Sequence, residues 1–450
     1  MTIWAERALL RTGAGVDFID GVRIETDADG RVADIRTGVA PEVVDTPEIV
    51  VAPGASDTPD APGIRLGLVV PGFGNAHSHA FHRTLRGQTH DGTGDFWVWR
   101  EAMYRAAGRL NPDSYRLVAT AVFGEMVRCG YTAVGEFHYL HHQPDGTPYR
   151  PRHSMELALV DAAEAVGIRL VLLDTCYLAG GIGRGLQPGQ RRFSDLSAGA
   201  WLDRWHALRE AIAGRRRVTL GAAIHSVRAV PREALAEIAR ELPGDVPLHI
   251  HLSEQPQENA DCVAAYGCTP TALLERLGLL GERLTAVHAT HLSDDDVRML
   301  GEAHAGIVIC PSTEADLGDG IGPARRLAEA GARLSIGSDQ NAVIDPLLEL
   351  RGLEYGERLA TGTRGRFSPS QLWEIGTAGG YRALGLGGRA TGLAVGDLCD
   401  LVELDPGSLR TAGATPAQLP MVATASDVMN VLIGGQIVRS GTEPETQEAP

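Results

Sequence analysis

The 450-residue chain contains no lysine; all 41 of its basic residues are arginine. That absence excludes a Schiff-base lysine, the lysine of a phosphate-binding loop, and a lysine carbamylated to bridge two metal ions. Codon bias in a GC-rich genome accounts for it, and the chemical exclusion holds whatever the cause. Cysteine is scarce too. Cys129, Cys176, Cys262, Cys268, Cys310 and Cys399 include no C-x-x-C pair, so they read as small buried hydrophobes in a reduced, cytoplasmic protein. No run approaches 18 apolar residues, which argues against a transmembrane helix, and the N-terminus lacks the basic and apolar regions of a signal peptide. Positive charge is in deficit, with a formal net charge of −16, so neither nucleic acid nor an anionic membrane is an expected partner.

What is present has a globular texture: 44% hydrophobic and 22% charged residues. At about 150 residues per domain, the length admits up to three domains or one large barrel with an appendage. Residues 1–66 read as short β segments, including Trp4 to Leu10, Val16 to Glu25, Val32 to Arg36 and Glu48 to Val51, with an exposed loop between Pro53 and Pro62. From 67 to 390, apolar runs of strand length alternate with helix-period stretches. Eight runs stand out: Leu68 to Gly72, Ala133 to His138, Leu170 to Thr175, Val218 to Ile224, Val246 to Leu252, Thr285 to His291, Gly306 to Cys310 and Arg333 to Ser338. Eight strands with helices between them predict an α/β fold, a (β/α)8 barrel of about 250 residues or more, over a doubly wound sheet. Residues 391–441 return to β pattern and are expected to complete, with 1–66, a small β-sandwich domain into which the barrel is inserted. Residues 442–450 read as a disordered tail.

Chemistry gathers at the strand ends. His77-Ser78-His79 follows the first apolar run, and residues i and i+2 of a strand share a side, so both imidazoles can meet one ion. An isolated H-x-H is more often a pair of turn histidines; its place at a barrel strand end reverses that. The fifth run ends in Leu248-His249-Ile250-His251-Leu252-Ser253-Glu254. His251 lies toward the mouth, His249 deeper as a core histidine, and Glu254 at the rim where a carboxylate can shuttle protons. The sixth run carries His288 and the eighth ends in Asp339, a charge too costly to bury unless paired or bound to a cation. His77, His79, His251 and Asp339 thus form a mixed nitrogen and oxygen shell, with His288 as a nearby base or electrophile. Such a shell with an open position suits one Zn2+, with Fe2+ or Mn2+ as alternatives, and lowers the pKa of a bound water toward about 7.

This arrangement resembles the amidohydrolase superfamily. With no lysine to bridge a second ion, and with His251-x-x-Glu254, it resembles the mononuclear deaminase branch. Longer segments, Asn75 to Arg83, Phe96 to Tyr104, Gly135 to His142, His225 to Arg228, His288 to Leu292 and Cys310 to Gly320, are similar to the formimidoylglutamate deiminase family of bacterial histidine degradation. The resemblance covers most of residues 67–390. It implies hydrolysis of N-formimino-L-glutamate to N-formyl-L-glutamate and ammonia, with Asp339, Glu254 and His288 handling protons. A substrate with two carboxylates needs local cations, for which Arg228 and Arg100 are the candidate clamps, while Tyr139, His225 and His82 complete the pocket. His82 departs from the glutamine common in relatives, and Gln340-Asn341 departs from the segment that follows the aspartate. The resemblance also implies a possible homodimer.

Blander readings apply elsewhere. Trp97 and Trp99 read as packing residues, and the dense His138, His141 and His142 as structural or solvent-facing as much as ligating. The Asp294-Asp295-Asp296 run after Ser293 reads as a helix N-terminus rather than a metal site. The functional alternatives are another small-molecule deaminase, of purine or pterin type, or a non-catalytic metal-binding protein on the same scaffold.

Overall fold

Alternating burial marks the strands that have one wet face, and continuous burial marks those covered on both faces. The first kind occurs in Thr2–Thr12 (β1), Gly15–Thr26 (β2), Val32–Arg36 (β3) and Ile64–Pro71 (β4). The second kind begins at Phe73–Ser78 (β5), where every residue is buried. It continues through Tyr131–His138 (β6), Arg169–Cys176 (β7), Val218–Ile224 (β8), Leu248–Leu252 (β9), Leu284–His288 (β10), Gly306–Ile309 (β11) and Arg333–Ile336 (β12). Three more strands, Leu401–Leu404 (β13), Val428–Ile433 (β14) and Gln436–Arg439 (β15), end the described chain. The computed structural model describes residues 1–13, 15–39, 63–88, 96–387 and 392–440. The strand expected over 48–51, the loop over 53–62 and the tail from 442 lie outside these residues.

Strands β5 to β12 form one eight-stranded sheet in chain order, each paired in parallel with its neighbour. Its two ends meet. Asp339 N donates to His77 O at 3.0 Å and His79 N to Asp339 O at 2.9 Å, so the sheet closes into a (β/α)8 barrel at its C-terminal rim. Helices cap as local rules require. Asn111 and Ser114 form a capping box on Pro112–Arg128, and Ser293 with Asp296 does the same for Asp294–Glu302, so the Asp294-Asp295-Asp296 run starts a helix.

The other seven strands form a mixed sheet in the order β15-β14-β13-β4-β1-β2-β3. It folds over on itself: a Cβ at Gly30, in the β2–β3 turn, would lie 2.7 Å from Gly434 Cα in the β14–β15 turn. The two halves enclose Ile3, Ile24, Val32, Leu401 and Leu432, so one curled sheet makes the sandwich core.

One strand assignment needs correction. Leu68 to Gly72 is not the first barrel strand; through Pro71 it belongs to β4 of the mixed sheet, and β5 begins the barrel. The chain crosses between sheets at Pro71-Gly72, where proline has no N–H for a ladder and a Cβ at Gly72 would sit 2.0 Å from Thr132 Oγ1. Hydropathy alone cannot show that break. The mixed sheet docks at the barrel's other end: Asp400 accepts from Arg169 Nε at 2.6 Å and Nη2 at 2.9 Å, and from Tyr381 OH at 2.6 Å. That leaves the C-terminal mouth for chemistry. Among the described residues no helix is long and apolar enough to cross a membrane.

Candidate active site

The seam that closes the barrel also builds the site. Because Asp339 pairs with the backbone of both His77 and His79, its carboxylate comes between their imidazoles: Oδ1 lies 3.4 Å from His77 Nε2 and 3.6 Å from His79 Nε2. His251, at the end of β9, completes the group, with Nε2 3.1 Å from His77 Nε2 and 3.4 Å from His79 Nε2. All four are buried. Backbone strain concentrates here. Of the nine non-glycine residues with positive φ among the described residues, Ser253, His288, Ala289, Asp339 and Asn341 sit on these strand-end turns. Such conformations cost about 1–3 kcal/mol each and persist where the fold over-determines them.

The donor set fits a metal ion. His79 Nδ1 donates to Phe137 O at 2.8 Å and His251 Nδ1 to His225 O at 2.9 Å, so both Nε2 atoms carry lone pairs aimed at the same point. Nitrogens without protons do not bond one another, yet their 3.1–3.4 Å spacing matches the edge of a tetrahedron with metal–nitrogen bonds of about 2.0–2.1 Å, roughly 3.3 Å. Burial and mutual repulsion keep these imidazoles neutral, as metal ligands must be. His77 and His251 are held well below the ordinary range, and His79 is brought down to about 3.

Around this group stand the expected proton carriers. Glu254 Oε1 and Asp339 Oδ2 each lie 3.8 Å from His288 Nε2. Burial pulls His288 down, but its bond to Glu314 and the charges of Glu254 and Asp339 outweigh that and lift it to about 10. Sequence reasoning overlooked Glu314, whose Oε1 faces His288 Nδ1 at 3.3 Å and accepts from Cys310 N at 2.9 Å. An acid just beyond the seventh barrel strand was the available signal. Asn341 likewise proves structural: its Nδ2 donates to His79 O at 3.0 Å and Ser78 Oγ at 3.1 Å, locking the turn that carries His77 and His79. Gln340 Nε2 donates to Asp316 at 2.6 Å.

The cavity over the group is lined by His82, Trp99, Arg100, Met103, Tyr139, His225, Arg228 and Leu317 together with His79, His251, Glu254, His288 and Asp339, so every residue expected from the sequence to touch substrate reaches it. His82 Nε2 meets Tyr139 OH at 3.1 Å, and its ring stands edge-on to Trp99 at 5.0 Å. Trp99 is thus both packing and wall; the Trp97 side chain lies outside the described residues. Arg228 is already engaged. Its Nη2 donates to Glu254 at 2.9 Å and its Nε lies 3.3 Å from Glu258, a buried acid that sequence reasoning also missed.

The second histidine cluster behaves differently. Arg204 bonds Asp174 through two nitrogens at 2.7 Å, Glu156 at 3.1 Å and Asp195 at 2.9 Å, while His141 and His142 each meet a carboxylate at 2.9 Å. His138, His141 and Glu156 are close enough to hold a cation, but a guanidinium already serves that carboxylate.

The model of the amidohydrolase family matches residues 68–438. The formimidoylglutamate deiminase of Pseudomonas aeruginosa is 37% identical over 456 residues, covering 98% of this chain and 95% of that protein. Among solved structures, an amidohydrolase from Brucella melitensis superposes with a TM-score of 0.85 at 34% identity, covering 97% of this chain and 94% of that one. An adenosine deaminase from Xanthomonas campestris, solved with bound zinc, shares the fold at a TM-score of 0.79 and 22% identity over 99% of this chain and 94% of its own.

Proposed function

This chain belongs to the amidohydrolase family, and on that premise we propose that it hydrolyses N-formimino-L-glutamate to N-formyl-L-glutamate and ammonia. The observation that carries the reading is a cavity lined both by His79, His251 and Asp339 of the converging group and by Arg100 and Arg228. The similarity to a formimidoylglutamate deiminase over nearly the whole chain supports the same substrate. His77, His79, His251 and Asp339 would hold one divalent ion; three imidazoles and a carboxylate suit Zn2+, and the absence of lysine removes the usual bridge to a second ion. Bound there, the ion supplies Lewis acidity that lowers the pKa of water toward about 7.

The protein's own groups do the rest. Asp339 takes the proton released as the water oxygen adds to the formimino carbon. His288 Nε2 faces the same space and steadies the negative charge that develops there. The two protons that the water gives up, one by way of Asp339 and one by way of Glu254, pass to the departing nitrogen, and ammonia leaves as that carbon–nitrogen bond breaks and the formyl C=O forms. Arg100 and Arg228 hold the carboxylates through charge-assisted hydrogen bonds, which requires Arg228 to share its fork between Glu254 and substrate.

Ammonia release from N-formimino-L-glutamate, compared with a panel of purines and N-acyl amino acids, tests the substrate. A purine turned over faster than the formimino compound overturns the reading. So does an Arg228→Ala variant with undiminished kcat/KM, since losing the charged partner should cost about 2–4 kcal/mol of transition-state binding. Fewer than one ion per chain, with no activity after Zn2+ is supplied, would instead make the protein a non-catalytic relative.

A further inference from the structure

Arg100 stands on the helix Phe96–Arg109, with Tyr104 one turn further on the same face. The helix is tied to the barrel by a small polar knot. Gln190, buried in the turn Pro188–Phe193, donates through Nε2 to Tyr104 OH at 2.8 Å and to Tyr177 OH, just past the end of β7, at 2.9 Å. Its Oε1 accepts from Gln187 N at 2.8 Å, which fixes the amide's orientation. Arg100 donates to the same two hydroxyls, through Nε to Tyr104 at 2.5 Å and through Nη2 to Tyr177 at 3.4 Å. Each phenol oxygen has two lone pairs. One amide and one guanidinium therefore share the acceptors of both tyrosines.

We propose that Gln190 is the positioning residue for Arg100: by holding Tyr104 and Tyr177 it aims the guanidinium into the cavity and sets the preference for a substrate whose end remote from the reacting carbon is a carboxylate. The place fits that role. Tyr177 packs against His225 at 4.5 Å between ring centroids and His225 against His251 at 5.1 Å, so the knot lies one residue outward from the metal-binding group. The guanidinium also lies over the Tyr104 ring, at 5.4 Å from its centroid. The tyrosine rings pack on Phe193 at 6.0 and 5.3 Å whatever their hydroxyls do, so losing the amide frees the aim of Arg100 without emptying the core.

This inference rests on the deiminase reading, and two measurements separate them. The first compares kcat/KM for N-formimino-L-glutamate with that for N-formimino-L-glutamine and for the analogue lacking the α-carboxylate. Gln190→Leu should lower the preference for the dicarboxylate over N-formimino-L-glutamine about tenfold, mainly through KM, while leaving the preference over the analogue without the α-carboxylate unchanged, and Tyr104→Phe should do the same. The second is calorimetric binding of glutarate, a dicarboxylate with no formimino group, which should weaken about tenfold in both variants. Unchanged preference and unchanged glutarate affinity in folded Gln190→Leu and Tyr104→Phe overturn the inference, as does an equal loss on all three substrates. If wild-type protein turns over none of the formimino compounds while glutarate binding still depends on Gln190, the deiminase reading fails and the positioning role stands.

Discussion

Two buried clusters of histidine and carboxylate stand near the C-terminal ends of barrel strands, and they have opposite characters. In the first, the neutral imidazoles of His77, His79 and His251 converge on one point beside the Asp339 carboxylate. In the second, Glu156, Asp174 and Asp195 surround the guanidinium of Arg204, and His141 and His142 fill remaining acceptor positions. Both are rich in the residues that bind metals. The difference lies in what occupies the middle. A charge-matched network is complete without a ligand, whereas a set of lone pairs about 3.3 Å apart calls for a cation. Composition alone, such as the run His138, His141 and His142, therefore says little about which cluster is functional.

The comparison can be broken most severely at the first cluster. His251→Ala should abolish stoichiometric metal binding and lower turnover on the order of a thousandfold or more while the chain stays folded. Metal analysis with the ammonia assay checks it, and full activity in a metal-free variant would end the distinction. Next in size, Arg204→Met strands three buried carboxylates and should cost about 3–5 kcal/mol of unfolding free energy with metal content unchanged. Denaturant titration reads the first quantity; loss of metal in that variant would show that the two clusters are not separate in role. Glu314→Gln should lower kcat about tenfold to a hundredfold with little change in KM, because His288 loses the carboxylate that orients it.

The smallest effect is on the acid side of the second cluster. Burial works to raise the Asp195 carboxyl, but Arg204 and His142 prevail and bring it down to about 2. Because the folded value lies below the unfolded one near 3.9, this contribution is complete above the unfolded value and is lost as pH falls through about 2. It amounts to roughly 2–3 kcal/mol. Stability against pH should therefore fall less steeply between about pH 5 and 2 in Asp195→Asn than in the wild type.

Much of the barrel was legible because its strands are buried on both faces and read as unbroken apolar runs. Val218–Ile224 coincides with β8, and Val32–Arg36 and Val428–Ile433 coincide with strands of the mixed sheet. Leu68 to Gly72 misled because a strand in the curled sheet is as apolar as one in the barrel. The candidate ligands could be singled out in the sequence because imidazoles and an aspartate at strand tips are expensive to bury without a partner. Glu314, Glu258 and Gln190 were not, because each acts through another side chain and carries no pattern of its own.

By itself, then, the sequence determined the strand periodicity, the set of ligand types and the exclusion of a lysine bridge, since these depend only on residue identity and local order. Tertiary structure alone decided which donors converge. The seam at Asp339 brings β5 and the end of β12 together across most of the barrel's length of chain. Arg204 reaches its three acids, and Gln190 its two tyrosines, only because helices and turns distant in sequence pack on the same rim. Such convergence depends on distances set by packing many elements at once, which no local pattern encodes.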